Sequence, residues 1–478
     1  MDKKIVILGA GLTGVGAAYR LKRYNFQNWE IYERMPFVGG LAASFQDAAG
    51  FTWDVGGHVI FSGIARYNRL IGRLLGKDAR VIERDAFVFL WDLPGGTRNN
   101  KSGQGHFIPY PFQNNIGFLP SEALLECLEG LIEAAESSPP AQNFEQWILG
   151  QFGQGIAKYF MLPHNRKLWR YPLNKMSAHW VARRVAKVDL KRVIRNVVLK
   201  KADARWGGNR QFKFPKTGGT GEISRRLLPW VKEHLHLNKK MRAIDLKKKE
   251  IYFADGERVS YDILISTIPL DHLIINSNAP SAVKHAAGGL EHNSISVVGV
   301  GVKGRISTSR TWGYFPDKKY PFHRITYFSN YSPQNVPGKG YYSIIAEINR
   351  RGKRRKSRAG LVEETINGLI QAQIIKEAHR SKIASTFFLD REYAYPIPTL
   401  KREHRLKRIL PYLEARGVYS RGRFGIWRYE IGNMDHSLLQ GIEVVEHILE
   451  GKEESVLNSV RRPRSPASTR RPPERVGR

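Results

Sequence analysis

Residues 4–33 read KIVILGAGLTGVGAAYRLKRYNFQNWEIYE. The apolar run from Lys4 to Leu8 breaks at Gly9-Ala10-Gly11-Leu12-Thr13-Gly14. Helical rhythm then runs through Leu21, and a second apolar stretch closes on Ile31-Tyr32-Glu33. Strand, tight turn, helix and strand, with an acid at the second strand's end, is the order a dinucleotide-binding βαβ unit requires. Gly9 and Gly11 permit a tight turn and close approach of the backbone to a pyrophosphate. Gly14 lets the helix pack on the sheet, and the first helical turn, with Thr13 in it, faces the phosphates with unpaired N–H groups. Glu33 is expected to accept hydrogen bonds from ribose hydroxyls. The glycine pattern alone is weak, for Gly299-Val-Gly301-Val-Lys-Gly304 repeats it. There the glycines alternate with valines and no helix follows, so that stretch reads as a strand with close backbone packing.

The next segment outward, Arg34 to Ser44 (RMPFVGGLAAS), resembles the Gly-Gly extension of glutathione-reductase and amine-oxidase type flavoproteins. That resemblance implies FAD rather than NAD, with Arg34, Gly39, Gly40 and Leu41 at the cofactor. Farther on, residues 120–199 look mostly helical, with Leu124, Leu128 and Leu131 at helical spacing and Asn143 followed by Gln146 at a helix start. From about 244 to 395 alternating patterns dominate. One hairpin turns at Asp255-Gly256, and SISVVGVGV, HRITYFSNY and YYSIIAEIN read as strands. The expected class is α/β: a Rossmann-like FAD-binding domain from residues 1–90, 205–268 and 416–455, a helical domain at 114–204, and an antiparallel β-sheet domain from 91–113 and 269–415. Residues 456–478 are expected to form a disordered basic tail.

The chain has 478 residues, enough for two or three domains, and 42% of them are hydrophobic, which suits a globular enzyme. Its one cysteine, Cys127, excludes an intramolecular disulfide, and no Cys/His cluster at ligand spacing suggests a metal. No signal peptide and no membrane span are read, so a cytoplasmic protein is expected. The formal net charge of +34 is concentrated in part at Arg350–Arg358 and in the tail from Arg461. The remaining body is still basic and would attract an anionic ligand. No nucleic-acid-binding motif accompanies the charge, so no specific nucleic-acid partner is expected.

Four further stretches narrow the reading: Asp54 to Ser62 (DVGGHVIFS), Tyr110 to Asn115 (YPFQNN), Pro321 to Ser332, and Arg421 to Ser437. With them, the chain from about Lys4 to Gly451 resembles the UDP-galactopyranose mutase family, nearest its eukaryotic type. The resemblance implies interconversion of UDP-galactopyranose and UDP-galactofuranose with no net oxidation. The reduced flavin N5 attacks the anomeric carbon and UDP leaves, with NADPH or NADH a candidate reductant. It further implies that Arg184 and Arg324 bind the pyrophosphate and act in catalysis with His58. Gly56, Gly57 and His58 would lie beside the flavin, and Arg423, Gly432, Asn433, Asp435 and Ser437 in a second FAD-contacting segment. Tyr110, Phe112 and Gln113 match the uridine pocket, where a ring can stack on uracil. Asn165 and Trp169 match the nucleotide side. Asn209, Tyr314, Tyr331, Tyr395 and Tyr429 match sugar and phosphate contacts. Met434 stands where the eukaryotic type has Gln, residues 92–106 are longer and more polar than the family pattern, and the basic run at Arg350 replaces a longer insertion. Two alternatives stay open: another UDP-sugar as substrate, and an FAD-dependent oxidase of the amine-oxidase or protoporphyrinogen-oxidase class. The oligomeric state is not legible.

Overall fold

The computed structural model describes residues 3–91, 93–94, 105–137, 139–181, 188–203, 208–352, 354 and 356–461. Strand Ile5–Leu8, buried along its whole length, is the centre of a five-stranded parallel sheet. Trp29–Tyr32 and then Leu235–His236 lie on one side of it, Ile263–Ser266 and then Val418–Ser420 on the other. A strand covered on both faces reads as a continuous apolar run, which is why KIVIL carries no alternation. Helix Leu12–Arg23 follows the turn and packs against helix Met434–Glu450, so the last quarter of the chain completes the layer begun by the first.

The second sheet has seven strands, in the order Ile383–Pro396, His292–Lys303, Tyr341–Arg350, Arg324–Tyr327, Trp312–Tyr314, Ala86–Leu90 and His106–Pro109. Its neighbours are antiparallel except Trp312–Tyr314 beside Ala86–Leu90, so the sheet is mixed. Ala86–Leu90 was expected with the cofactor-binding part. It belongs here because His106–Pro109 returns beside it as a hairpin partner. Gly299 and Gly301 lie in strand His292–Lys303 against the rings of Trp53 and Phe51, which disposes of the second glycine pattern as a cofactor turn. The hairpin at Asp255-Gly256 forms between Glu250–Phe253 and Arg258–Ser260. Within HRITYFSNY only Arg324–Tyr327 is strand, for Phe328–Tyr331 turns into a short helix.

The helical layer contains Ser121–Glu136, Phe144–Ile156, Leu162–Trp169 and Leu190–Val198. The Asn143 side chain accepts from the Gln146 N–H at 3.0 Å, the cap read from the sequence. The expected disordered tail is corrected at its start: Ser455–Arg461 is helical, with Val456 and Leu457 buried in the core of the parallel-sheet half. The rest of the tail, 462–478, lies outside the described residues.

Candidate active site

A cavity of about 530 Å³ opens at the carboxyl ends of the parallel strands, where ligands bind in open α/β sheets. Its floor is the turn after Ile5–Leu8. Gly9 has φ +95, and a Cβ on Gly14 would lie 1.8 Å from the Gly9 carbonyl oxygen, so the turn accepts only glycine at both places. Gly11 caps helix Leu12–Arg23 without a side-chain hydrogen bond, and Leu12 and Thr13 line the cavity. The first N–H groups of that helix are thus left for an anion. Glu33 lines the cavity with its carboxylate held in place: Oε2 accepts from Ala10 N–H at 2.7 Å and Oε1 from Met35 N–H at 2.9 Å. Both oxygens retain lone pairs for ribose hydroxyls. A glycine cradle, an open helix N-terminus and an oriented carboxylate together fit a dinucleotide cofactor.

Arg34, Gly39, Gly40 and Leu41 line the same cavity, as do Gly432, Met434 and Ser437 from the segment before and within helix Met434–Glu450. Arg423 joins them, donating to the carbonyls of Gly432 (2.7 Å) and Ala394 (3.1 Å) and so fixing the loop between two chain segments. Gly14, Gly56, Gly57, Asn433 and Asp435 are not on the cavity wall. Asp435 instead accepts from the Ser62 hydroxyl at 2.7 Å, tying helix Met434–Glu450 to the loop after His58.

His58 reaches the wall from that loop. Its Nδ1 is buried without a hydrogen-bond partner among the described residues. Burial, then the Arg423 charge, pushes its pKa down to about 4, so the ring is neutral at neutral pH. Glu347 and Arg324 are its other electrostatic neighbours. Glu347, 1% exposed, is the acid beneath the loop: it accepts from Gly57 N–H at 3.0 Å. It also takes the Arg324 fork, from Nε at 2.6 Å and Nη2 at 2.9 Å. Arg324 and Glu347 face each other directly in adjacent strands. The ion pair raises the Arg324 pKa against the cost of its burial, and Tyr395 and Tyr314 stand near the guanidinium.

The tyrosine readings fare unevenly. Tyr331 is fully buried near Arg324, with the Thr326 side chain beside its hydroxyl. Tyr395 and Tyr429 meet with ring centres 5.6 Å apart, and Tyr110 and Tyr314 with ring centres 5.1 Å apart. Burial raises the pKa of Tyr110, Tyr314, Tyr331 and Tyr395, the last to about 12, which keeps their hydroxyls protonated as donors. Phe112 is fully buried against Phe160, and Gln113 beside it is also buried. Phe112 therefore offers no free face for a base in this structure. Trp169 is likewise fully buried; its Nε1 donates to Asn165 at 3.2 Å and its ring meets Tyr429 edge-on. Both residues support the wall behind the tyrosines. Asn209 accepts from Arg84 Nη1 at 2.6 Å. Arg184 lies outside the described residues.

Two residues at this site escaped the sequence reading. Glu347 is the one acid of strand Tyr341–Arg350, set in the apolar run Ile344-Ile345-Ala346 and Ile348, a signal that could have been noticed. Lys167 is buried, and its Nζ donates to the carbonyls of Phe315 (2.8 Å) and Asp317 (2.7 Å). It pins the turn joining Tyr314 to Arg324 onto the helix that carries Asn165 and Trp169, and burial pulls its pKa down to about 7. Nothing in HNRKLW distinguishes that lysine from a solvated one.

Among the described residues no group of His, Cys, Asp and Glu could hold a metal ion, and no helix is long and apolar enough to cross a membrane. Residues 12–410 match the family described as flavin-containing amine oxidoreductase. A crystal structure of a reduced UDP-galactopyranose mutase superposes with a TM-score of 0.89 at 38% identity, covering 96% of this chain and 97% of that one. Local likeness is wider: a hydroxysqualene dehydroxylase from Rhodopseudomonas palustris is 36% identical over 102 residues, 20% of this chain and 23% of that protein. A zeta-carotene desaturase from Zea mays is 33% identical over 94 residues, 20% of this chain and 16% of that protein. The full-length match and the family match together show that the chain belongs to the flavin-containing amine oxidoreductases and, within them, to the UDP-galactopyranose mutase family.

Proposed function

We propose that the chain is a UDP-galactopyranose mutase of the eukaryotic type, interconverting UDP-galactopyranose and UDP-galactofuranose with no net oxidation. One observation carries the reading: a half-buried guanidinium, Arg324, is held by the buried Glu347 among tyrosine hydroxyls, within electrostatic reach of His58 on the flavin cavity. When bound, reduced FAD supplies a nucleophilic N5 for the sugar's anomeric carbon, with NADPH or NADH as its reductant. The protein's task is then to bind a nucleoside diphosphate and stabilise it as a leaving group. Glu347 occupies the Nε and one Nη2 hydrogen of Arg324 and leaves the Nη1 side for phosphate oxygens. As the sugar–oxygen bond breaks, charge grows on those oxygens, so a fixed guanidinium gains strength in the transition state. The buried, protonated Tyr331, Tyr395 and Tyr314 are suited to donate beside it. Arg184 keeps the role of second diphosphate arginine in this reading. Tyr110 and Gln113 hold uracil, with Phe112 behind them, and Asn209, Asn165, Trp169 and Tyr429 shape the remaining contacts. An amine or porphyrinogen oxidase has no use for a diphosphate-binding arginine. The same reading makes the enzyme cytoplasmic.

The test is to incubate the dithionite-reduced protein with UDP-galactofuranose and separate the products. UDP-galactopyranose should form, and the oxidised protein should give none. Equal turnover by both forms refutes the mechanism. Bleaching of oxidised flavin by an amine, with no sugar product, replaces it by the oxidase reading.

A further inference from the structure

Two guanidinium groups face the cofactor cavity with no carboxylate in ion-pair range of either among the described residues. One is Arg34, directly after Glu33; the other is Arg391, on the edge strand Ile383–Pro396 of the mixed sheet. Arg391 donates only to the carbonyl of its neighbour Asp390, at 3.0 Å, and its guanidinium lies 5.9 Å from the centre of the Phe37 ring. The Asp390 carboxylate is engaged elsewhere, accepting from the Ser296 hydroxyl at 2.5 Å and from Arg354 Nε at 3.1 Å, with Arg350 at 3.8 Å. Arg391 is partly buried, and its pKa is lowered by that burial and then by the charge of Arg34, against the smaller opposing influence of Asp390 and Glu33.

The fold thus sets an exposed guanidinium, Arg34, close enough to act on a partly buried one, Arg391, at the same cavity. That arrangement costs free energy at Arg391, which is partly buried and so loses hydration, whereas Arg34 is exposed and keeps its own. A bound dianion offsets the desolvation of Arg391 and the repulsion from Arg34, and a fork of N–H donors on each side suits phosphate oxygens. The glycine turn at Gly9 and the open helix N-terminus at Leu12 lie on the same cavity and call for the same kind of ligand.

We propose that Arg391 is a cofactor-binding residue, contributed by the mixed sheet, which joins Arg34 in clamping the diphosphate of the dinucleotide. The inference rests on the flavin cavity and is independent of which sugar nucleotide the enzyme takes. It gives the cofactor a second structural task. Arg34 follows a strand of the parallel sheet and Arg391 lies in the mixed sheet, so one diphosphate ties the two sheets together.

The test measures dissociation constants of FAD, ADP and riboflavin for the full-length chain after flavin removal, by fluorescence titration, in wild type, Arg391→Met and Arg391→Lys. Arg391→Met should weaken FAD and ADP about 10- to 100-fold, the scale of a hydrogen bond to a charged group. Riboflavin, which has no diphosphate, should be unaffected, and Arg391→Lys should recover part of the loss. Wild-type FAD affinity in Arg391→Met overturns the proposal, and so does an equal loss for riboflavin and ADP. The flavin-free Arg391→Met protein should melt at or above the wild-type temperature, because one of two like charges is gone. Melting well below it would make Arg391 a packing residue and also overturn the proposal.

Discussion

Replacing Glu347 by Gln tests how the site handles charge. The carboxylate is 1% exposed, holds both Nε and Nη2 of Arg324 and accepts from Gly57 N–H. Gln keeps the shape and one acceptor but removes the charge, leaving a half-buried guanidinium without its counter-ion. Breaking a buried pair on one side costs about 3–5 kcal/mol. Because Gln still accepts one hydrogen bond and the Arg324 side chain is 23% exposed, no more than the lower end, about 3 kcal/mol, is expected here. A diphosphate bound at Arg324 restores an anion, so part of the deficit should return on binding. By linkage, UDP must then bind more tightly to the variant than to wild type. Recovery of about 1.4 kcal/mol corresponds to tenfold in affinity. Turnover should nonetheless fall, since Arg324 and the His58 loop lose a common anchor. The assay is isothermal titration with UDP on both proteins, beside thermal melting with and without saturating UDP. UDP that binds Glu347→Gln more weakly than wild type, together with a melting gap that UDP does not narrow, refutes the reasoning and removes the diphosphate from Arg324.

Arg324→Ala should lower the single-turnover rate of the reduced enzyme about 10²–10³-fold at saturating substrate, with Lys a poor rescue because it loses the fork; a wild-type rate once saturated would leave Arg324 a binding residue only. Phe112→Ala should destabilise the fold by about 3–5 kcal/mol, as for any buried aromatic, and affect UDP affinity only through that loss; an undiminished melting temperature with weakened UDP binding would return Phe112 to the base-stacking role. His58 in flavin-free protein should titrate near 4, well below its usual value of about 6.5. Below 6.5 the unfolded chain takes up the proton first, so His58 adds stability as pH rises from about 4 to 6.5 and nothing further above it. Imidazole NMR shifts that stay neutral from pH 5 to 8 agree with this, and a midpoint near 6.5 contradicts it.

What the sequence disclosed follows the range of the interactions concerned. The cofactor turn from Gly9 to Glu33 is set by neighbours in the chain: a turn that needs glycine, a helix start and an acid at a strand end are all written within thirty residues. The Asn143 cap and the Asp255-Gly256 turn were legible for the same reason. Exposure was not. The resemblance places Phe112 in the uridine pocket and Trp169 on the nucleotide side, and in the structure both rings are fully buried, which the sequence did not disclose because a ring in a loop and a ring in a core look alike in one dimension. Lys167 is the converse case, a lysine that spends its charge on two carbonyls of a distant turn.

The Arg324–Glu347 pair shows why the centre of the site lay beyond such reading. The two residues are 23 apart in sequence and meet because their strands pair with Arg324 opposite Glu347. The same strand, Tyr341–Arg350, also pairs with His292–Lys303, which sets Val297 opposite Glu347 on the other side. A slip of one residue would turn every side chain of the strand to the other face. Glu347 would leave both Arg324 and the Gly57 N–H, and Ala346 or Ile348 would stand under the His58 loop. The apolar residues around Glu347, Ile344, Ile345, Ala346 and Ile348, are all buried and pack on both faces of the sheet, so hydrophobic burial holds the register in place. A core that contributes no atom to the chemistry thereby decides where the guanidinium points.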